Sequence, residues 1–170
     1  MTTTTQPTTT QMYQVYIKAT PQAIWDAVTK PEWTEKFGYG GRADYNLRPG
    51  GSYKHYPSRE MVEAGNRMGF VTPDIVVDGE VIESDPPRKL VQTWRMCMEP
   101  TAKAEGFTRL TYEIEDWGNG VSKLTLTHEL ETAPHLALIV SGSMGKEAGG
   151  GWPMVLSGLK TLLETGTPLR

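Results

Sequence analysis

Residues 108–130 read TRLTYEIEDWGNGVSKLTLTHEL, and the two halves of this stretch decide the fold. In the first half Leu110, Tyr112 and Ile114 alternate with Arg109, Thr111, Glu113 and Glu115. In the second, Leu124, Leu126, His128 and Leu130 alternate with Lys123, Thr125, Thr127 and Glu129. A period of two puts each set on its own face of a strand. Gly118-Asn119-Gly120 between them is a hairpin turn, because glycine and asparagine tolerate positive φ. One face of this hairpin is apolar and the other charged, which suits an antiparallel sheet covered on a single side.

Working outward, the pattern predicts more strands. Leu90 to Met98 and Ile75 to Ser84 are separated by the break Asp85-Pro86-Pro87. Ser52 to Tyr56 and Asp44 to Leu47 flank the turn Arg48-Pro49-Gly50-Gly51. Near the N-terminus Tyr13, Val15 and Ile17 alternate with Gln14, Tyr16 and Lys18. Thr20-Pro21 then opens a helix carrying Ile24, Trp25 and Val28. Pro31 opens a second short helix with Trp33 and Phe37, and Gly38, Gly40 and Gly41 break it. Ser58 to Thr72 reads two ways along its length, as a helical turn at Arg59 to Glu63 and a short strand near Met68 to Val71. Ala133 to Gly151 reads as loop. From Trp152 to Glu164, Trp152, Val155, Leu156, Leu159, Leu162 and Leu163 recur at helical spacing, and Gly166 ends the helix. Strand, helices, a run of strands and a last helix make an α+β domain. Its curved antiparallel sheet wraps around the C-terminal helix.

At 170 residues, with 38% hydrophobic and 22% charged side chains, the chain fits one globular domain. Residues 1–11 read as a disordered threonine-rich tail, 12–165 as the domain and 166–170 as a C-terminal tail. A net charge of −3 excludes a general attraction for nucleic acid. With Cys97 the only cysteine there is no intrachain disulfide, and in its strand it reads as a packing residue. The N-terminus lacks the basic and apolar parts of a signal peptide, and no run reaches the ~18 apolar residues of a membrane span. The expected location is the cytoplasm.

The three histidines, His55, His128 and His135, are too scattered to predict a metal site. Gly145-Lys146-Glu147 lacks the rest of a phosphate-binding loop, and Ser141 and Ser143 are not in a nucleophile elbow. No catalytic set and no cofactor is expected. What the phase of the strands does predict is a lined cavity. Tyr53, His55, Trp94, Met96, Met98, Tyr112, Ile114, Leu126 and His128 fall on the inward side, facing Trp152, Leu156 and Leu159 of the last helix. Methionine adapts to irregular partners and tyrosine puts a polar handle in an apolar wall. His128 has two readings: a core histidine hydrogen-bonded to a neighbour, or a polar group that orients a ligand or moves a proton. Glu83, where alternation breaks down, is expected to face solvent. The glycine-rich run from Gly142 to Gly151 is expected to act as a flap, with Leu136, Leu138 and Ile139 closing over an apolar ligand.

Several stretches together carry a family resemblance: Ala19-Thr20-Pro21-Gln22-Ala23-Ile24-Trp25-Asp26-Ala27-Val28, Leu47-Arg48-Pro49-Gly50-Gly51 and Asp85-Pro86-Pro87-Arg88-Lys89-Leu90-Val91 before Thr93-Trp94. Leu124-Thr125-Leu126-Thr127-His128 and Gly151-Trp152-Pro153-Met154-Val155-Leu156 follow in the same order. Over about residues 12 to 165 the chain resembles bacterial proteins similar to the C-terminal domain of the activator of heat-shock-protein-90 ATPase. These belong to the START-like (SRPBCC, birch-pollen-allergen-like) superfamily. The resemblance implies a helix-grip fold and a cavity for a small hydrophobic or aromatic molecule, lipid or polyketide-like. His55 stands where this pattern often has an aromatic or apolar residue, a hint of a more polar cavity here. Two alternatives follow from the same resemblance. One is a cyclase or aromatase using that cavity, with His128 as acid/base. The other is a co-chaperone-like interaction module in a stress response. The eukaryotic co-chaperone has a further N-terminal domain for which this length leaves no room, and Arg109, Glu113, Glu115, Lys123 and Glu129 read as an ordinary solvated face. A chaperone partner is therefore not demanded by the residues, and they specify no oligomeric state.

Overall fold

The hairpin forms as its alternation requires. In the computed structural model, which describes residues 10–170, strands Thr108–Gly118 and Val121–Glu129 pair antiparallel, with Leu110 opposite His128 and Tyr112 opposite Leu126. Asn119 takes φ 55° in the turn between them. In chain order the elements are β1 (Thr10–Ile17), α1 (Pro21–Thr29), α2 (Pro31–Thr34), β2 (Ala43–Tyr45), β3 (Ser52–His55) and α3 (Arg59–Arg67). Then come β4 (Val77–Asp85), β5 (Lys89–Met96), α4 (Pro100–Ala104), β6 (Thr108–Gly118), β7 (Val121–Glu129), α5 (Pro134–Val140), a short 3-10 turn at Lys146–Ala148 and α6 (Gly151–Thr165).

The strands make one sheet in the order β1-β7-β6-β5-β4-β3-β2, antiparallel throughout. The sheet curves, and its inner face carries the core. Ile17, Leu90, Leu110, Leu124 and Leu126 on that face are fully buried. α6 packs across β1 and α1 packs on β6 and α6, so both helices lie in the concavity. The apolar stripe of α6 buries Trp152, Leu156, Leu159 and Leu162, each burial stabilising by about 1.5–3 kcal/mol. Thr20 Oγ1 accepts the Ala23 amide at 3.1 Å to start α1, and Gly166 at φ 76° ends α6.

Some expectations need correction. The first strand begins at Thr10, two residues before the expected start, and residues 1–9 of the expected tail lie outside the described residues. The stretch from Ser58 is one nine-residue helix, capped by Ser58 Oγ on the Met61 amide, and Met68 to Val71 is not a strand. Both sides of β4, the strand that follows it, are already taken by β3 and β5, and Met68 and Val71 stay exposed. Phe37 lies beyond α2, in the turn that follows. Cys97 lies just past β5, although its amide still bonds to the Val76 carbonyl at 2.8 Å. The alternation that fails near Glu83 does so at a bulge between Val81 and Glu83, and Glu83 pairs with Lys89 at the surface.

The stretch read as loop after Ala133 contains helix α5. Its run of apolar residues is too short and uniform to show a period, and its first amides are capped from afar. The Glu105 carboxylate accepts the amides of His135 and Leu136 at 2.8 and 2.9 Å. The glycines beyond it serve close packing. A Cβ on Gly142 would sit 2.5 Å from the Gly150 carbonyl oxygen, and one on Gly151 would sit 2.3 Å from that of Val140. Only glycine lets the end of α5 meet the start of α6 so closely. Leu136 is in the core and Leu138 is exposed, so the two do not act together as one closing face.

Candidate functional site

The inner face of the sheet has two polar regions of opposite character. The first joins β5, β6, β7 and α6. His128 has no exposed surface, and Trp94 and Trp152 pack edge-on to its ring, with centroids 5.3 and 5.8 Å away. Trp152 Nε1–H donates to His128 Nδ1 at 3.1 Å. With Nδ1 accepting, Nε2 carries the proton and donates to Thr108 Oγ1 at 2.7 Å. Thr108 in turn donates to the Trp94 carbonyl at 2.8 Å. Both imidazole nitrogens are therefore engaged. Burial pushes the His128 pKa down to about 3, so the ring is neutral near pH 7.

The second region joins β2, β3, β5 and β6. Tyr45 and Tyr53 stack with ring centroids 4.5 Å apart. Tyr45 donates its hydroxyl proton to Gln92 Oε1 at 2.7 Å. His55 Nε2 lies 2.9 Å from the Gly40 carbonyl, which needs a proton on Nε2. That leaves Nδ1 to accept from the Tyr53 hydroxyl at 3.4 Å. Burial lowers the His55 pKa, opposed by the bond to Gly40. Burial also raises the phenol pKa of Tyr45, Tyr53 and Tyr112, so all three stay protonated.

Tyr112 is the exception in this region. Its sheet neighbours on the inner face, Leu90, Leu110, Ile114 and Leu126, are buried. Tyr112 nevertheless keeps part of its surface accessible, while lying deep enough for desolvation to drive its phenol pKa upward. No described residue accepts its hydroxyl proton. Tyr45 and Met96 on the same face, and Tyr13 and Val15 on β1, are likewise only half-buried. Tyr13, Val15 and Tyr45 lie on the edge strands β1 and β2 and Met96 ends β5, whereas Tyr112 lies on the interior strand β6, where close packing would bury it.

Two hollows open on the surface, and neither has Tyr112 in its wall. One, of 620 Å³, lies between the turn at Phe37–Gly40, Ser58–Glu60, Met154 and the C-terminal Leu169 and Arg170. The other, of 340 Å³, opens on the outer face beside Asp78, Thr93 and Phe107. Among the described residues no three of His, Cys, Asp and Glu group as metal ligands would. Cys97 is half-buried beside Asp78, and burial raises its thiol pKa.

Apart from Met98, the expected lining residues lie on the inner face or on the side of α6 facing it. Trp94, His128 and Trp152 come together at the closed end. Tyr53 and His55 meet Tyr45 at the other, with Tyr112 across β4 and β5. Ile114, Leu126, Leu156 and Leu159 are core residues, Met96 is half-buried at the end of β5, and Met98 lies beyond that strand, half-buried against the core. Sequence reasoning passed over Thr108, Gln92 and Tyr45. Thr108 is in phase with Leu110 and Gln92 with Trp94, so the alternation that found their neighbours could have found them.

A family model described as activator of Hsp90 ATPase homolog 1-like protein matches residues 18–164. No curated protein matches the sequence. Solved structures share the fold at low identity. An Hsp90 activator from Plasmodium falciparum aligns at 16% identity and TM-score 0.63, over 91% of this chain and 96% of its own. The Aha1 dimer from Colwellia psychrerythraea aligns at 18% and 0.60, over 92% and 97%. DynU16, from the dynemicin biosynthetic locus, aligns at 20% and 0.65, over 96% of this chain and 50% of its own.

Proposed function

This chain belongs to the activator of Hsp90 ATPase homolog 1-like family, within the START-like superfamily, and from that premise we propose that it binds a small apolar or aromatic molecule on the inner face of its sheet, over Tyr112. The observation that carries this reading is the accessible surface of Tyr112 among buried neighbours at the centre of the sheet. Desolvation of the ligand against the accessible parts of the Tyr112 and Tyr45 rings would drive binding. The fold's likeness to a protein of a biosynthetic locus is compatible with a natural-product ligand.

Titration with Nile red, a neutral dye that brightens in apolar surroundings, tests the proposal. Saturable one-site binding is expected, and Leu126→Phe, which adds bulk beside Tyr112, should weaken it while the far-UV circular dichroism is kept. No saturable binding, or binding that Leu126→Phe leaves unchanged, would refute the assignment. The cyclase alternative has less support, because His128 offers no free nitrogen to a substrate.

A second reading, a co-chaperone-like contact module, is favoured by one feature of the outer face. Met12, Tyr16 and Trp117 are exposed there, Tyr16 and Trp117 meet edge-on at 4.9 Å, and Lys123 lies 5.6 Å from the Trp117 ring. Stimulation of a chaperone ATPase that is lost in Trp117→Ala would support it. A rate unchanged by the native protein would count against it.

A further inference from the structure

The inner face supplies hydrogen-bond donors, and all but one of its phenols are paired. Tyr13 donates to Gln11 Oε1 at 2.8 Å, Tyr45 to Gln92 and Tyr53 to His55. The Tyr112 hydroxyl has no partner among the described residues and is not closed off from solvent, so its proton is open to an outside acceptor. The same face carries no charge to neutralise an ion. No Asp, Glu, Lys or Arg is among the buried described residues, and both inner histidines are neutral, with their Nε2 protons committed to Gly40 and Thr108.

We infer that the site over Tyr112 takes an uncharged aromatic or apolar molecule bearing a hydrogen-bond acceptor, such as a carbonyl or ether oxygen aimed at the Tyr112 hydroxyl, and rejects carboxylates. This rests on the reading that a ligand lies over Tyr112. A neutral acceptor can take the hydroxyl's proton in place of water, at the cost of little desolvation. A carboxylate would leave water for a place with no cation, and one phenol cannot replace its hydration shell. The phenol, its pKa raised by burial, stays protonated and can donate. Free fatty acids are thus poor ligands here and their neutral esters are better ones.

Three matched probes separate these statements: 2-ethylnaphthalene, methyl 2-naphthoate and 2-naphthoate, titrated near pH 8 by isothermal calorimetry. The ester should bind about tenfold tighter than the carboxylate and several-fold tighter than the hydrocarbon, as one buried hydrogen bond allows. In Tyr112→Phe the ester should fall to the affinity of the hydrocarbon, which itself should not change. A carboxylate that binds as well as the ester overturns the charge exclusion. An ester preference that survives in Tyr112→Phe overturns the role of the hydroxyl. In either of those outcomes the site still binds, so the underlying pocket stands. Failure of all three probes to bind would instead remove the pocket, and this inference with it.

Discussion

The two ends of the inner face use the same kinds of residue to opposite effect. At the His128 end, indole, imidazole and hydroxyl form a closed relay from Trp152 through His128 and Thr108 to the Trp94 carbonyl, without accessible surface on the imidazole. At the Tyr112 end, phenols pair around a hydroxyl that has no partner among the described residues, and several side chains keep accessible surface. A buried polar group that is fully paired is a fastening, because removing any member orphans the others. A polar group without a protein partner, beside accessible surface, holds nothing else in place and can be removed at little cost. In the function proposed above, the first end belongs to structure and the second to binding, and the difference dictates which substitutions should hurt stability and which should not.

The largest effect is expected at the closed end. His128→Ala leaves a cavity and strands the Trp152 indole N–H, so it should cost roughly 3 kcal/mol in urea unfolding. If it costs less than about 1 kcal/mol, the fastening is illusory. The same residue gives a pH signature. Unfolded, the imidazole titrates near its ordinary value of about 6.5; folded, it resists protonation until about 3. Between those values the unfolded chain binds the extra proton. His128 therefore costs no stability above about pH 6.5, and its cost grows as pH falls toward 3, at about 1.4 kcal/mol per unit. His55 shifts the same way, and carboxylates add their own slopes, so the useful quantity is native minus His128→Gln. That difference should change by roughly 2 kcal/mol in disfavour of the native protein between pH 6.5 and 5. A constant difference would mean that the imidazole is not held neutral.

How much of this comparison is legible in the sequence depends on how far apart the partners lie. The hairpin is legible because period two and a glycine-asparagine turn are local signals, and the inward direction of His128 follows from its phase with Leu124 and Leu126. That both its nitrogens are engaged is not local. One partner comes from the neighbouring strand and the other from a helix, 20 and 24 residues away in sequence. Helix α5 is hidden for the same reason, since its cap Glu105 lies 30 residues before His135. Periodicity tells which way a side chain points. Whether it meets a partner or an opening there depends on what α1 and α6 cover, and no pattern within one strand contains that.

Two hydroxyl deletions sharpen the comparison further, with smaller effects. Tyr45→Phe removes a paired hydroxyl and leaves Gln92 Oε1 without its donor, so it should cost about 1 kcal/mol in urea unfolding. Tyr112→Phe removes an oxygen that bonds to nothing described. It should change stability by less than about 0.5 kcal/mol, in either direction, while the ring keeps its packing against Leu90 and Leu126. The two substitutions are chemically identical and sit on the same face, so general effects of losing a phenolic oxygen cancel in their difference. Equal costs would show that Tyr112 has a partner after all, and that the accessible surface beside it is not an opening. A cost at Tyr45 alone, with Tyr112→Phe as stable as the native protein, would leave the Tyr112 hydroxyl without a role in folding and free for a ligand.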